Sequence, residues 1–532
     1  NLWFDRQAEG YKRLIGWALD HRAATMAIAA ASFFGAIALQ VFVGGGSFVP
    51  VSDSGEMTIV VQAPPGSSLE YTRLKAEEAA RIARANPEVR YTYTALGTTS
   101  GAVDQASIYV RLTPKADRAR TLAEVGSDVR EHTRHIGGAT YAVFTSYMSG
   151  TFKQIQLELR GTDAIEMNHI AERMAADVRS VPGAVDVALS SRGQKPEIEI
   201  ELNRGLAGTL GITAAQIAQS MRPAFAGIDA GDWVDPTGAT RNVNVRLRPD
   251  ARRNPADLAA LPITVAGPTG MTTLPLGQIA TITEGRSPSQ IDHLDRDRLV
   301  IIEANVAGVP LNDVLKGIDA RLSKIDLPAG YRLTSGGDAK SQKEVFGHIF
   351  TALAVAVLLM YFILVLQFGS FIDPIAIMLS LPLSLIGVVL MLIITGDTMN
   401  IMSMIGVMLL MGIVAKNAIL LIDFAKWGRE QGMSRRDALI EAGRIRLRPI
   451  LMTTFALIAG MIPVAIGAGE GADFRAPLGR AVIGGTITST LLTLLVIPTA
   501  YEILDEMKEK VVGWVRSSRG ASLPAATEVT PA

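Results

Sequence analysis

Six long runs of apolar residues constrain the fold of this chain more than any other feature of its sequence. They cover residues 23–43, 345–366, 374–394, 399–424, 449–466 and 481–501. A helix needs about 20 mostly apolar residues to cross the ~30 Å hydrocarbon core of a bilayer. Because unpaired backbone groups are not tolerated there, only helices and closed barrels can span it. The runs therefore predict an α-helical transmembrane bundle of six spans, five of them within residues 345–503.

The region between the first and second runs, residues 44–344, has ordinary charge and no run long enough to span a membrane. Its alternating and amphipathic segments follow the order β-α-β-β-α-β twice, which is typical of ferredoxin-like folds. We predict an α+β domain of two such repeats. The first occupies residues 44–150, and the second occupies residues 151–202 and 289–344, with residues 197–202 as one of its strands. A docking-type or funnel-like insertion, residues 203–288, separates the halves of the second repeat.

Both ends of the chain are predicted to lie on the cytoplasmic side of the membrane. Basic residues concentrate before the first run, after the fourth and after the last, and such residues mark cytoplasmic connections. Residues 44–344 then lie outside the cytoplasm, and residues 504–532 form a cytoplasmic tail. Residues 1–22 combine helical apolar spacing with aromatic and basic residues, which predicts an amphipathic helix at the membrane interface. An amphipathic helix packed on protein is the alternative.

The composition argues against several classes of function. The chain has 51 Lys and Arg residues in total and 51 Asp and Glu residues in total, so its net charge is zero. This balance does not support a nucleic-acid partner. The absence of cysteine excludes disulfides, thiolate metal sites and CxxC redox chemistry. The six histidines show no ligand spacing, and phosphate-binding loops are absent. We therefore predict no metal, no cofactor and no direct use of ATP. Because the chain begins with Asn1 rather than methionine, we expect part of a longer or processed protein.

Lys416 interrupts the fourth apolar run. With a rise of 1.5 Å per residue it lies about 15 Å from the basic end at Lys426, which is half of the ~30 Å core. A lysine at this depth costs at least ~2.5 kcal/mol, so it must be paired, neutral or in contact with water. The runs offer no available carboxylate, since Asp423 lies beside Lys426, and Asp373 and Asp397 lie at run ends. We predict a proton- or ion-coupling lysine whose anion lies outside these 532 residues; a neutral lysine bonded to hydroxyls and carbonyls is the alternative.

Three further polar residues occur at or near this depth. Asn417 adjoins Lys416, and Arg446 and Thr453 are seven residues apart, hence on nearly one face of the next helix and about 10 Å apart along its axis. The simplest role of Arg446 is to supply cytoplasmic positive charge. The simplest role of Thr453 is a hydrogen bond to its own i−4 carbonyl. The alternative places all three in a hydrogen-bonded relay with Lys416.

Three motifs carry a resemblance to a known family. They are GIVAKNAILLIDFAK at residues 412–426, RIRLRPILMTT at residues 444–454, and Gly484-Gly485 with Pro498. With one span, two split repeats and five further spans, essentially the whole chain resembles the C-terminal half of a resistance-nodulation-division (RND) efflux pump. The AKNA context of the lysine resembles the hydrophobe/amphiphile branch more than the heavy-metal branch. The resemblance implies a transporter rather than an enzyme, in the bacterial inner membrane with its large domain in the periplasm.

The resemblance also implies roles for particular residues and partners. Lys416, Asn417, Arg446 and Thr453 match residues of the family's proton relay, whose two aspartates belong to an N-terminal half that is not in this sequence. Proton motive force would drive multidrug export of amphiphilic compounds. The implied partners are that missing half, two further copies in a homotrimer, membrane lipid, a periplasmic adaptor protein and an outer-membrane channel.

One loop matches the position of a flexible loop that divides the drug pockets in the family. Its residues are Gly97, Thr98, Thr99, Ser100 and Gly101. It contains no phenylalanine, so an aromatic trap for the substrate is not predicted here. An ordinary surface loop is the alternative.

Other functions remain open. A half-size relative of the SecD and SecF type would assist protein translocation, but it would carry its own intramembrane carboxylates. A membrane sensor would bind ligand outside the cytoplasm without transport. A heavy-metal exporter is a further alternative, because the fourth run holds five methionines that can ligate Cu(I), although methionine also fills gaps in apolar packing. These methionines are Met399, Met402, Met404, Met408 and Met411.

Overall fold

The structure is a computed structural model that describes residues 2–97, 102–145, 152–252, 254–267 and 270–520. It opens with two helices, α1 (Leu2–Asp20) and α2 (Arg22–Phe42). On α1 one face is buried, including Tyr11, Ile15 and Leu19. The hydroxyl of Tyr11 donates to the Leu494 carbonyl oxygen at 2.7 Å. The helix therefore packs on the protein along this face.

The first repeat is a four-stranded antiparallel sheet covered by two helices. Its elements are β1 (Glu56–Gln62), α3 (Leu69–Arg84), β2 (Val89–Leu96), β3 (Gln105–Leu112), α4 (Leu122–Thr133) and β4 (Thr140–Phe144). The order in the sheet is β2-β3-β1-β4. Alternate residues of β1 are buried, as expected for a strand with one face on a core. Small residues on α3, such as Ala76 and Ala80, are fully buried and let the helix lie close to the sheet.

The second repeat begins with β5 (Ile155–Gly161), α5 (Ala164–Arg179) and β6 (Ala184–Leu189). An insertion follows, with β7 (Gln194–Leu202), α6 (Arg204–Thr209), α7 (Ala214–Phe225), β8 (Ile228–Val234), β9 (Thr240–Val245), α8 (Pro255–Ala259), β10 (Pro262–Gly267), β11 (Gly270–Pro275), α9 (Leu276–Ile279) and β12 (Ala280–Pro288). The repeat resumes with β13 (Asp292–Leu294), β14 (Asp297–Val306), α10 (Leu311–Leu322) and β15 (Arg332–Gly336).

The insertion is larger than predicted. Residues 63–69 and 191–292 form a compact unit of their own. The prediction that residues 197–202 belong to the second repeat is wrong, because β7 pairs along its length with β12. The strand that pairs with both β5 and β6 is instead β14. Apart from β13, which also pairs with β14, the second repeat thus has the sheet order β6-β14-β5-β15, which matches the order of the first repeat.

The last part of the chain is helical. Its helices are α11 (Gly337–Phe368), α12 (Asp373–Met378), α13 (Pro382–Ile394), α14 (Ile401–Glu430), α15 (Arg435–Ile466) and α16 (Ala476–Gly520). The third apolar run is divided between α12 and α13, where Pro382 takes a first-turn position that tolerates proline. Together with α2, these elements give six candidate spans among the described residues, which agrees with the six predicted runs. The predicted tail is helical to Gly520.

Glycine allows α13 and α16 to approach each other closely. A Cβ atom added to Gly484 would overlap the backbone carbonyl of Gly387, and one added to Gly387 would overlap the carbonyl of Gly484. The next residue, Gly485, leaves room for the Leu410 side chain of α14. Small residues are the usual means by which membrane helices bring their backbones together. The Gly-Gly motif therefore belongs to the packing of the bundle.

Replacing Gly484 by alanine should destabilise the bundle. Its Cβ would meet backbone atoms that cannot rotate away, and overpacking of this kind costs ~1–3 kcal/mol. We expect a lower thermal unfolding midpoint of the purified protein in detergent. Gly460→Ala on α15 is the matched control, since no atom lies within 4 Å of the added Cβ. Equal midpoints for the two variants would contradict the packing role of Gly484.

Candidate functional site

Lys416 lies near the middle of α14, about 21–22 Å from either end of the helix. Its side chain is exposed, on a stripe at helical spacing that includes Ile405, Leu409 and Gly412. Among the residues that the structure describes, none forms a hydrogen bond or an ion pair with its ammonium group. The cation therefore faces outward from these helices, at the depth where it is most costly to leave it uncompensated.

The carboxylates at the ends of the spans already have other partners. Asp373 is buried and accepts from the Lys426 ammonium, with an Nζ–Oδ2 distance of 2.9 Å. Asp397 pairs with Arg480 at 2.7 Å. Asp423 is exposed, but it lies seven residues beyond Lys416, or about 10 Å along the axis. These three carboxylates therefore do not compensate the charge of Lys416.

The structure separates Asn417 from its neighbour Lys416. Successive helical residues point about 100° apart, so the Asn417 side chain is buried inside the bundle. Its Nδ2 donates to Thr490 Oγ1 of α16 at 3.4 Å. Thr490 in turn shares a hydrogen bond of 3.2 Å with Thr454 of α15. An amide and two hydroxyls thus join three helices at this depth.

Thr454 and Thr490 are members of this cluster that sequence reasoning did not assign to a site. A usable signal was present in α16, which carries several buried hydroxyls at helical spacing within an apolar run. They are Thr486, Ser489, Thr490 and Thr493.

No hydrogen bond joins Arg446 or Thr453 to Lys416 within the described part of the chain. The guanidinium of Arg446 lies over the Phe424 ring, 5.0 Å from its centroid, and Phe424 is eight residues, or about 12 Å, from Lys416 along α14. The buried Arg446 Nε has no hydrogen-bond partner within the described part of the chain. Thr453 Oγ1 donates to the Ile450 carbonyl oxygen at 3.1 Å. That acceptor is the i−3 carbonyl, where the sequence predicted i−4.

The predicted substrate loop is described only at its first residue. Gly97 has φ of 65°, in the left-handed region that favours glycine. Its N–H donates to the Gln105 carbonyl oxygen at 2.9 Å, next to the end of β2 and at the start of β3. The other predicted residues, Thr98, Thr99, Ser100 and Gly101, lie outside the described residues.

Comparison with known proteins gives the family. The model of the AcrB/AcrD/AcrF family matches residues 1–505. The chain belongs to this family. It is therefore an RND-family chain, as its motifs suggested.

Individual relatives support the same assignment. The cation efflux system protein CzcA of Alcaligenes sp. (strain CT14) is 28% identical over 530 residues, which cover 96% of this chain and 49% of that protein. Two crystal forms of a heavy metal efflux pump match with TM-scores of 0.79 and identities of 24% and 25%. These matches cover 94% of this chain and 52% of the pump. The chain thus spans about half the length of these relatives.

In this family member, the connection between α15 and α16 is tied to the first repeat. Asp473 Oδ2 accepts from the Asp53 backbone N–H at 3.0 Å and from Lys115 Nζ at 3.1 Å. Glu470 of the same connection pairs with Arg111 of β3. These contacts attach the ends of two spanning helices to the α+β domain.

Asp53 is the centre of this attachment. Its carboxylate accepts from the buried guanidinium of Arg118 and from the backbone N–H groups of Gly55 and Leu122, at 3.1 and 3.0 Å for the latter two. Burial alone raises the pKa of this carboxyl, but the hydrogen bonds from Arg118 and the backbone outweigh burial and hold the pKa of Asp53 below its usual value. The ionised form is therefore the one that the fold stabilises.

Asp53→Asn should destabilise the protein in a pH-dependent way. Because the folded-state pKa is depressed, the ionised carboxylate stabilises the fold above the unfolded pKa, and this contribution is lost as the pH falls through the folded pKa. We expect a loss of ~3 kcal/mol, the usual result of breaking a buried pair, between about pH 8 and pH 5, shrinking below about pH 4. Unfolding midpoints of wild type, Asp53→Asn and the exposed control Asp319→Asn measure this. A difference between wild type and Asp53→Asn that persists undiminished at about pH 3 would contradict it.

Proposed function

We propose that this chain is the C-terminal half of a proton-driven RND exporter that moves amphiphilic compounds out of the bacterial cell envelope. The observation that carries the proposal is Lys416, an exposed cation at mid-membrane depth that forms an ion pair with none of the described carboxylates. An ionisable residue within a span is by default a functional site. The chain's extent, about half of its relatives, supports a second half that would cover this face.

The second half would supply the anions of the relay. Two carboxylates presented toward the exposed stripe of α14 would compensate Lys416 while ionised. Protonation of these carboxylates would release the ammonium. In the ionised state the carboxylates would pair with Lys416, and in the protonated state the lysine would turn toward hydroxyls such as Thr453. Arg446, whose Nε lacks a hydrogen-bond partner within the described part of the chain, would join the relay as the helices shift. Asn417 would serve as a positioning residue, because its bond to Thr490 ties α14 to α16.

The α+β domain would carry the substrate path. The two repeats share one strand order, which supports ferredoxin-like porter subdomains in the periplasm, and the separate insertion would dock to partners. Those partners would be the other half, two further copies in a homotrimer, a periplasmic adaptor and an outer-membrane channel. The attachments at Asp473 and at the start of α11 would convey helix motion to the two repeats.

A heavy-metal cargo is the second candidate. It is favoured by the relatives, which are a cation efflux protein and a heavy metal efflux pump. With no cysteine in the chain, the soft donors would be methionines of the fourth apolar run. Two of them have packing roles: Met404 is buried, and Met399 Sδ accepts from Ser403 Oγ at 3.3 Å. This packing and the AKNA lysine context favour the amphiphile.

Lys416→Ala in the full-length pump should abolish export. The carboxylates of the relay would lose the cation that pairs with them, so their protonation would no longer release a charged side chain. Efflux of a fluorescent amphiphile and proton flux in inverted vesicles measure the effect, and both should fall to the level of a deletion strain. The matched control is Lys510→Ala, at an exposed position near the end of α16. Membrane abundance and trimer assembly should be equal in both variants. Retained efflux in Lys416→Ala would refute the relay.

The amphiphile and heavy-metal cargoes can be distinguished in the same strains. Deletion of the pump gene should sensitise cells to amphiphilic dyes and detergents and leave tolerance of Cu(I) and Zn(II) unchanged. Growth inhibition assays with each compound give the answer. Sensitivity to the metals alone would instead establish the heavy-metal cargo while leaving the Lys416 result intact.

A further inference from the structure

The two repeats enclose a cavity of about 510 Å³. Its walls come from β1, β4 and the end of α4 in the first repeat, and from β6 and β14 in the second. One ion pair among the described residues joins the two repeats, between Arg130 of α4 and Asp186 of β6. Lys153 and Glu303 also line the cavity, 3.7 Å apart, but both belong to the second repeat.

The backbone at Asp186 is held in an uncommon conformation. Its φ is 53°, in the left-handed region, where glycine is the usual residue and aspartate is among the few others that are tolerated. The ladder between β6 and β14 shifts register between Glu303 and Asn305, so Asp186 lies in a β-bulge. A bulge re-aims a side chain away from the regular alternation of a strand. Here the side chain is directed at the first repeat.

The Asp186 carboxylate collects donors from both repeats. Arg130 Nε lies 3.2 Å from Oδ1 and 3.1 Å from Oδ2. The Val143 backbone N–H of β4 donates to Oδ2 at 3.3 Å, and Asn305 Nδ2 of β14 donates to the same oxygen at 3.0 Å. Only 5% of the Asp186 side chain is exposed. A buried carboxylate depends on such donors, because an unpaired one is costly.

The same pair also satisfies the edge of the first sheet. β4 is an edge strand, and edge strands present unpaired N–H and C=O groups. The Val143 N–H donates to Asp186, and the Val143 C=O accepts from Arg130 Nη2 at 2.8 Å. If the repeats moved apart, Asp186 and this strand edge would lose partners together.

We propose that Asp186 and Arg130 form a latch that holds the two repeats together across this cavity. Asp186 is a positioning residue: its bulge aims the carboxylate, and Arg130 and Val143 receive it. Breaking the latch opens the cavity and leaves two opposite charges on its facing walls. This inference goes beyond the proposed function, because it concerns the distance between the repeats and does not depend on proton coupling or cargo.

This chain contains no cysteine, so the distance can be measured in the full-length protein after any cysteines of the other half are replaced. Nitroxide labels at Ser127→Cys on α4 and Ala176→Cys on α5, both exposed, report the distance between the repeats by double electron–electron resonance. Asp186→Gly removes the carboxylate and suits the left-handed backbone, so it breaks the latch without straining the bulge. Arg130→Gln breaks it from the other side. We expect both to lengthen the mean distance and to raise the open population by about tenfold, since hydrogen bonds to charged groups are the strong ones.

The control breaks an ion pair that does not bridge the repeats. Glu88 and Arg120 pair within the first repeat, so Glu88→Gln should leave the distance distribution as in the wild type. The double variant Asp186→Gly/Arg130→Gln should open no further than Asp186→Gly alone, since that substitution already removes the bonds of Asp186 to Arg130 and to the Val143 N–H. Unchanged distributions in both single variants would overturn the latch, as would an equal shift in Glu88→Gln.

Discussion

A charge in the hydrocarbon core must be compensated, and the arrangement of the membrane helices follows from how this is achieved. At the span ends, Asp373 meets Lys426 and Asp397 meets Arg480. In the interior, the polar groups of Asn417, Thr454 and Thr490 bond to one another across three helices. Lys416 is left outside these arrangements because its side of α14 has no described neighbour. The exposed face of α14 therefore carries one charge without a described partner, at the depth of the membrane interior.

The aqueous repeats are attached to the membrane helices by different means. The second repeat continues directly from β15 into α11, as Gly337 follows Gly336. The first repeat is held by side chains, through Asp473 and the buried Asp53–Arg118 pair. A shift of α11 and a shift of the α15–α16 connection would thus act on different repeats. The Arg130–Asp186 pair opposes any such difference, since it ties the two repeats to each other.

The fold was predictable wherever periodicity alone decides the structure. Apolar runs long enough to span, and strands alternating with helices, predicted the six helices and most strands. The assignment of residues 197–202 failed because a strand's partner is set by distant residues: β7 has strand pattern, but its partner β12 lies at the far end of the insertion. Local sequence could not distinguish β7 from β14 as the third strand of the repeat.

The site was predictable where the free-energy cost of placing a charge in the membrane is enough to identify a residue. Lys416 stands out because a charge at that depth is expensive wherever its helix packs. Asn417 and Thr453 were grouped with it by depth, which sequence spacing gives well, whereas the direction of each side chain depends on which face the neighbouring helices cover. The bulge at Asp186 is harder still, since it arises from one unmatched residue in a ladder between strands separated by the insertion. The depth of a residue in the membrane can thus be inferred from its position along a helix. Its contacts depend on the neighbouring helices, and for Lys416 the described helices provide no partner.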